Sequence, residues 1–234
     1  MKPLTIKGKI LLFGLCISLI PITLITVIYY CHLRTLLRNQ EINGLKAIAQ
    51  TKNNHILSCI TSKENRTIDF SSDGYIRERI EKIKHGKYSQ NIVKSLDNYL
   101  RTTKIPIDHD LKGIHIVDAE CKTITSTHEE ITDTFISHEK DIISNVNFSN
   151  KKAYVTASHV CHFCNEKRFH IISPIYSLKS TQKKPLGYLI TCYDLSAINE
   201  ITTDYKNLGD TGEVYLVDKN KIMITDTKLH SKEC

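Results

Sequence analysis

The chain lacks the short motifs that announce most enzymes. It has no glycine-rich phosphate loop, no G-x-S-x-G elbow and no H-E-x-x-H pair. Phosphate cradling, serine nucleophilic chemistry and zincin-type hydrolysis therefore have no support in it. The carboxylate pair Glu129-Glu130 adjoins His128, but in a polar stretch where solvation accounts for it. Cys161 and Cys164 form a C-x-x-C, yet Asn165 stands where a c-type haem attachment needs histidine. A basic block is missing too. The net charge of +7 is spread along the chain, and Lys151-Lys152 and Lys183-Lys184 are short pairs, so nucleic acid is not an expected partner.

Residues 10–31 carry no charged side chain. A helix of that length just crosses a hydrocarbon layer about 30 Å thick. In a bilayer it would have to be a helix, because nothing else satisfies the backbone there. Pro21 is tolerable in such a span, and Tyr29 and Tyr30 suit an interfacial belt. The apolar run exceeds the usual core of a cleaved signal peptide, and no A-x-A-like site follows it. A lipoprotein reading fails because bulky Tyr30 precedes Cys31. The expectation is an uncleaved anchor over residues 10–32, a cytoplasmic tail over residues 1–9, and everything after the span outside the cytoplasm at the inner membrane. Lysines and arginines flank the span almost evenly, so orientation rests on the short tail. About 200 residues remain, of ordinary globular composition and enough to bury a core.

After the anchor, apolar residues from Leu33 to Ile60 recur at three- and four-residue spacing, which predicts a long stalk helix to about Lys63. Residues 66–83 read as helix, turn at 71–74, and a second helix capped by Ser72 or Asp73. A third helix spans 89–101, and Pro106 ends the helical part. Residues 113–126 alternate apolar and polar around a turn at 118–122, a hairpin pattern. A helix follows at 135–146, then strands at 153–160, 169–176 and 186–194, a short helix at 196–206 begun by Ser196, and a second hairpin at 213–226 around 218–221. The two hairpins read alike: each has an apolar strand, Val-Asp, a polar turn and an apolar-threonine strand. The class is α+β, an antiparallel sheet with helices on it.

This order resembles the double Cache, PAS-like sensor region of bacterial membrane receptors. The resemblance rests on I-x-I-V-D at 114–118, I-I-S-P-I-Y at 171–176, L-G-Y-L-I-T-C-Y-D-L-S-A-I-N-E-I at 186–201 and L-G-D-T-G-E-V-Y-L-V-D-K-N-K-I-M-I-T at 208–225. It covers about residues 10–226. It implies a membrane-distal subdomain over 33–206 with its stalk, and the start of a second subdomain, carried only in part, over 207–234. It implies small-molecule sensing, a homodimer of receptors in the membrane, and an output of histidine-kinase, chemotaxis or cyclic-dinucleotide type that lies outside this chain; no catalysis is expected of the chain itself. The family pocket lies between the sheet and its covering helices. The matching positions here are Tyr154, His159, Tyr176 and Asp194. Amino-acid-binding members carry an Arg-x-Trp-Tyr-like element; this chain has no tryptophan, which argues against an amino-acid ligand. Asp194 could pair with a ligand ammonium or cap the helix at Ser196.

The one dense soft-ligand cluster is His159-Val-Cys161-His162-Phe-Cys164, with His170 beyond. Cys161 and Cys164 with His159 and His170 could bind zinc. A Cys161–Cys164 disulfide, the simplest outcome in an oxidising compartment, and two loop thiols are the other readings. No other cofactor is implied. A membrane-anchored thiol or metal protein without signalling is the alternative function.

Overall fold

The computed structural model describes residues 6–86, 90–128, 140–146, 148, 151–160, 166–178, 184–206, 208, 212–225 and 227. The chain divides into two units, Met1–Thr51 and Lys52–Cys234. The described residues of the first unit are helical throughout and belong to helix α1 (Ile6–Ser72). Pro21 sits inside that helix without ending it. Among the described residues this is the one helix long and apolar enough to cross a membrane; its most apolar 18-residue window has a mean hydropathy of 2.6 and none of it is buried.

In the second unit α1 ends at Ser72, and Asp73 starts α2 (Gly74–Lys84). The Asp73 carboxylate accepts from the N–H groups of Tyr75 (2.8 Å) and Ile76 (3.3 Å). Asp73, rather than Ser72, is thus the cap, and it satisfies donors the helix cannot. Ile76 and Ile80, one turn apart, are the buried face of α2. Helix α3 (Gln90–Tyr99) buries Leu96 and runs into a π turn at Leu100–Lys104 and a 3₁₀ turn at Ile105–Ile107. Pro106, which has no N–H to give, sits in that last turn, and the chain turns extended beyond it.

The sheet contains β1 (Leu111–Asp118), β2 (Thr123–Ser126), β3 (Tyr154–Val155), β4 (His159–Val160), β5 (Lys167–Ile175) and β6 (Gly187–Asp194). Its order is β2-β1-β6-β5-β3, with β4 also on β5, and every pairing is antiparallel. The strand expected at 153–160 is therefore two short ones. Helix α4 (Ser196–Thr203) follows β6; its first N–H, on Ser196, is taken by the Asp194 carboxylate at 3.0 Å. Of the helix expected at 135–146, residues 140–145 are helical; the rest lies outside the described residues.

Alternation along the strands gives the sheet two different faces. Ile114, Ile116, Phe169, Ile171, Ile175, Leu189 and Tyr193 meet Ile56, Phe70, Ile76, Ile80, Leu96 and Leu100 of the helices in the main core. The opposite face carries a smaller apolar group of Val117, Ile143, Ile172 and Ile190. The space between sheet and helices, where the resemblance puts the pocket, is thus filled by packed core.

The likeness of the two hairpins extends to atoms. Asp118 Oδ1 accepts from the N–H groups of Glu120 and Lys122 at 3.0 and 2.7 Å. Asp218 Oδ1 accepts from those of Asn220 and Ile222, both at 2.8 Å. The third residue after each aspartate is left-handed, Cys121 at φ 65° and Lys221 at φ 64°. Leu216 and Ile224 of the second hairpin pack against the main core. The Lys167 ammonium donates to the Met223 and Ile224 carbonyls at 3.0 and 3.1 Å.

Gly187 opens β6 opposite the end of β1. A Cβ there would lie 2.2 Å from the Val117 carbonyl oxygen, whereas one at Gly74 would meet nothing within 4 Å. Backbone cannot move aside as a side chain can. Gly187→Ala should lower unfolding stability by about 1–3 kcal/mol in denaturant titration, and Gly74→Ala should leave it nearly unchanged.

Candidate functional site

The sheet face turned away from the helices holds the chemistry. Strands there are apolar except at alternate positions toward one end: His115 on β1, Arg168 and His170 on β5, Cys192 on β6. The pairing brings them level, with His170 opposite Cys192 and Cys192 opposite Gly113. All four side-chain-bearing residues are buried. His159 of β4 pairs with Arg168, and its ring sits edge-on to His170 with centroids 4.6 Å apart.

His128, just past β2, completes the group. Its ring stacks 6.0 Å from that of His115. Ser126 Oγ holds both: it lies 2.9 Å from His115 Nδ1, receives the His128 N–H at 3.0 Å and donates to the His128 carbonyl at 2.8 Å. Gly113 makes the room, since a Cβ there would lie 2.6 Å from His128 Cδ2. The Arg168 guanidinium is 3.3 Å from His128 Nε2 and 3.8 Å from the Cys192 sulfur, and its other arm reaches Glu166 at 3.2 Å. The result is a buried guanidinium among four imidazoles, a patch rich in hydrogen-bonding nitrogen.

The expected site residues fall unevenly on this patch. The structure brings His159 and His170 together, and Tyr154, paired with Ile172, faces the same way. Tyr176 follows the far end of β5, about 20 Å of strand from His170 at ~3.3 Å per residue. Its carbonyl accepts from Arg77 Nε at 2.7 Å. The Asp194 carboxylate is held by Lys112 at 3.0 Å and by the Ser196 N–H. Burial works against its charge, but these bonds outweigh burial and hold it below the usual carboxylate range. Cys161 and Cys164 lie outside the described residues. Reading the sequence alone missed His115, His128, Arg168 and Cys192. The first, third and fourth were signalled as polar residues at alternate positions of apolar strands; His128 had no such signal.

Among the described residues, one other group could hold a metal by spacing: Asp108, His109 and Asp110. Lys63 already occupies it. Its ammonium lies 2.7 Å from Asp110 and 3.5 Å from Asp108, and Arg66 bonds Asp108 as well. With two cations in place, these carboxylates fit a metal poorly.

Burial, and then electrostatic coupling to His170, His128 and Arg168, depress the His115 pKa well below its ordinary value. A base with a lower pKa folded than unfolded binds its proton more readily in the unfolded chain. Stability is then complete above the unfolded value of about 6.5 and falls as pH drops below it toward the folded value. The unfolding midpoint should decrease between about pH 7 and pH 5, and His115→Asn should flatten that slope even where it lowers the midpoint at pH 7.

The sequence matches no family model, and no curated protein matches it. Solved structures do match. The ligand-binding domain of the Pseudomonas fluorescens chemoreceptor CtaA, in complex with L-serine, aligns with a TM-score of 0.58 at 12% identity, over 81% of this chain and 73% of that one. The ligand-binding domain of the Pseudomonas aeruginosa PAO1 amino acid chemoreceptor PctC, in complex with GABA, aligns at 0.54 and 14% identity, over 78% and 74%. The sensory domain of Campylobacter jejuni Tlp3, with isoleucine bound, aligns at 0.52 and 12% identity, over 76% and 67%. Helices, sheet and strand order together give this chain a Cache-type fold, the fold of those ligand-binding domains.

Proposed function

We propose that this chain is the extracytoplasmic small-molecule-sensing part of a transmembrane signal-transduction receptor, of the chemoreceptor or two-component class. One observation carries the reading: on a sensor fold, the sheet face away from the helices bears a cluster of polar side chains, the buried Arg168, His115 and His170 with the half-buried His128 beside them, that the core does not need. The ligand site includes His159 and Tyr154 beside that cluster; Asp194 contributes from its rim once it exchanges Lys112 for a ligand amine, and Tyr176 lies furthest out. The apolar part of α1, exposed along residues 10–30, anchors the chain in the inner membrane, and two copies act together there. Ligand binding shifts the population of sheet conformations, and α1 carries the difference. The chain has no catalytic role in this scheme.

The His159–His170 contact favours a second reading, a thiol or metal protein completed by Cys161 and Cys164. The test is made on the full chain in detergent micelles, with a panel of amino acids, amines and small carboxylates in a thermal-shift assay, alongside elemental analysis. A saturating ligand at a hundredfold excess over Kd should stabilise by about 2.7 kcal/mol, and His170→Gln with Arg168→Gln should abolish that shift. Stoichiometric zinc, lost on Cys161→Ser, with no organic ligand, would replace the sensor by the metal protein. Protease shaving of intact and permeabilised cells checks the topology: residues 113–194 should be cleaved from outside the cytoplasm.

A further inference from the structure

Three polar residues at four-residue spacing, Lys63, Thr67 and Ser71, run down the buried side of α1. Each meets a different part of the sheet. Lys63 reaches Asp110 ahead of β1 at 2.7 Å, Thr67 Oγ1 meets Thr191 Oγ1 of β6 at 2.7 Å, and Ser71 Oγ meets Ser173 Oγ of β5 at 2.8 Å. The three contacts are not equal in what it costs to part them. Every one of the four hydroxyls has a second partner on its own side of the contact, within the helix or within the sheet layer: Thr67 the Lys63 carbonyl at 2.9 Å, Ser71 the Ile68 carbonyl at 2.9 Å, Thr191 the Ile171 carbonyl of the adjacent strand at 3.3 Å, Ser173 the Lys152 carbonyl ahead of β3 at 2.9 Å. If the pairs open, no hydroxyl is left without a bond, so opening avoids the penalty of an orphaned buried group. Lys63 is different. Its partners are Asp110 and Asp108, both across on the other element, and parting them would strand buried charge.

We propose that this stripe is a graded latch, in which Lys63 is a fixed anchor and the Thr67–Thr191 and Ser71–Ser173 pairs are releasable contacts through which the sheet grips or frees the last two turns of α1. The placement suits a relay. Thr191 precedes Cys192 and Ser173 follows Ile172, and Cys192 and Ile172 face the opposite side with the histidine cluster. A shift of β5 or β6 on that side moves the two hydroxyls by the same rigid strand. The use of the latch in signalling rests on the sensor reading; the latch itself does not, and the ligand-free chain tests it.

The experiment is hydrogen–deuterium exchange by mass spectrometry on the full chain in detergent micelles, without ligand. In the wild type, amides of residues 64–72 should open more often than those of residues 54–63, as a separate step. Thr67→Val with Thr191→Val replaces a releasable pair by an apolar contact of the same shape that has no fallback bond. It should slow exchange over residues 64–72 by roughly tenfold while leaving 54–63 unchanged. Lys63→Met should instead raise exchange over all of 54–72 to a common rate. Unchanged or faster exchange at 64–72 in the valine pair would overturn the latch, because simple fraying of the helix end does not depend on Thr191. If Lys63→Met fails to fold, the valine pair alone decides. A sensor ligand found with the valine pair behaving as fraying would leave the sensor reading standing and remove the latch; the converse result would do the opposite.

Discussion

The architecture depends on a buried ammonium. Lys63 is 4% exposed, sits between Asp108 and Asp110, and lies 4.6 Å from the centre of the Tyr193 ring. Removing one side of such a pair typically costs about 3–5 kcal/mol, since the remaining charge stays behind without water. Buried charge is weak as a source of net stability but strong as a specifier of position. Here it ties the middle of the packed part of α1 to the segment that leads into β1. With that point fixed, Ile56, Ile60 and Phe70 come onto the sheet in one register, and the hydroxyl pairs at Thr67 and Ser71 follow at whole turns. The Tyr193 phenol beside it is pushed up to about 12 by its burial, so it stays neutral and adds no competing charge.

A sheet fixed in this way has one face committed to the core and the other left for chemistry. Alternation makes the division sharp. In β5, Phe169, Ile171 and Ile175 belong to the core, while Arg168, His170 and Ile172 face away. The same strand therefore carries both the packing and the polar cluster, one residue apart. This explains how a domain with so ordinary a composition can keep a guanidinium and two imidazoles at under a tenth exposure. The helices supply the apolar burial on one side, and on the other Ser126 holds His115 and His128 while Arg168 lies against His128.

The three structural neighbours named above are 12% to 14% identical to this chain over the aligned residues. At that distance the fold survives because its requirements are few: an apolar stripe on the helices, strands of period two, and turns that close. The chemistry on the outer face is set by a handful of side chains that the fold itself does not require. An absent tryptophan and a cluster of histidines in one such sheet are therefore compatible with an unchanged scaffold.

Much of this protein was legible in the chain itself. The uncharged run at 10–31, the helix break at Asp73, the hairpin turns at Asp118 and Asp218 and the strands ending at Ile175 and Asp194 follow from periodicity and capping, which are local. So does the twin geometry of the two hairpins, because a single aspartate closes each turn on its own neighbours. What sequence could not supply is which distant residues meet. Asp194 reads equally well as a ligand contact or a cap until Lys112, on another strand, is seen beside it. His128 has no periodic signal because it lies past a strand end, and only the pairing of β1 with β2 brings it over Gly113. Lys63 reads as an ordinary helix surface residue, since its partners are 45 and 47 positions away. Local pattern sets the elements and their faces; the buried charges and the site are decided by contacts between residues far apart in the chain, which exist only once the sheet has closed.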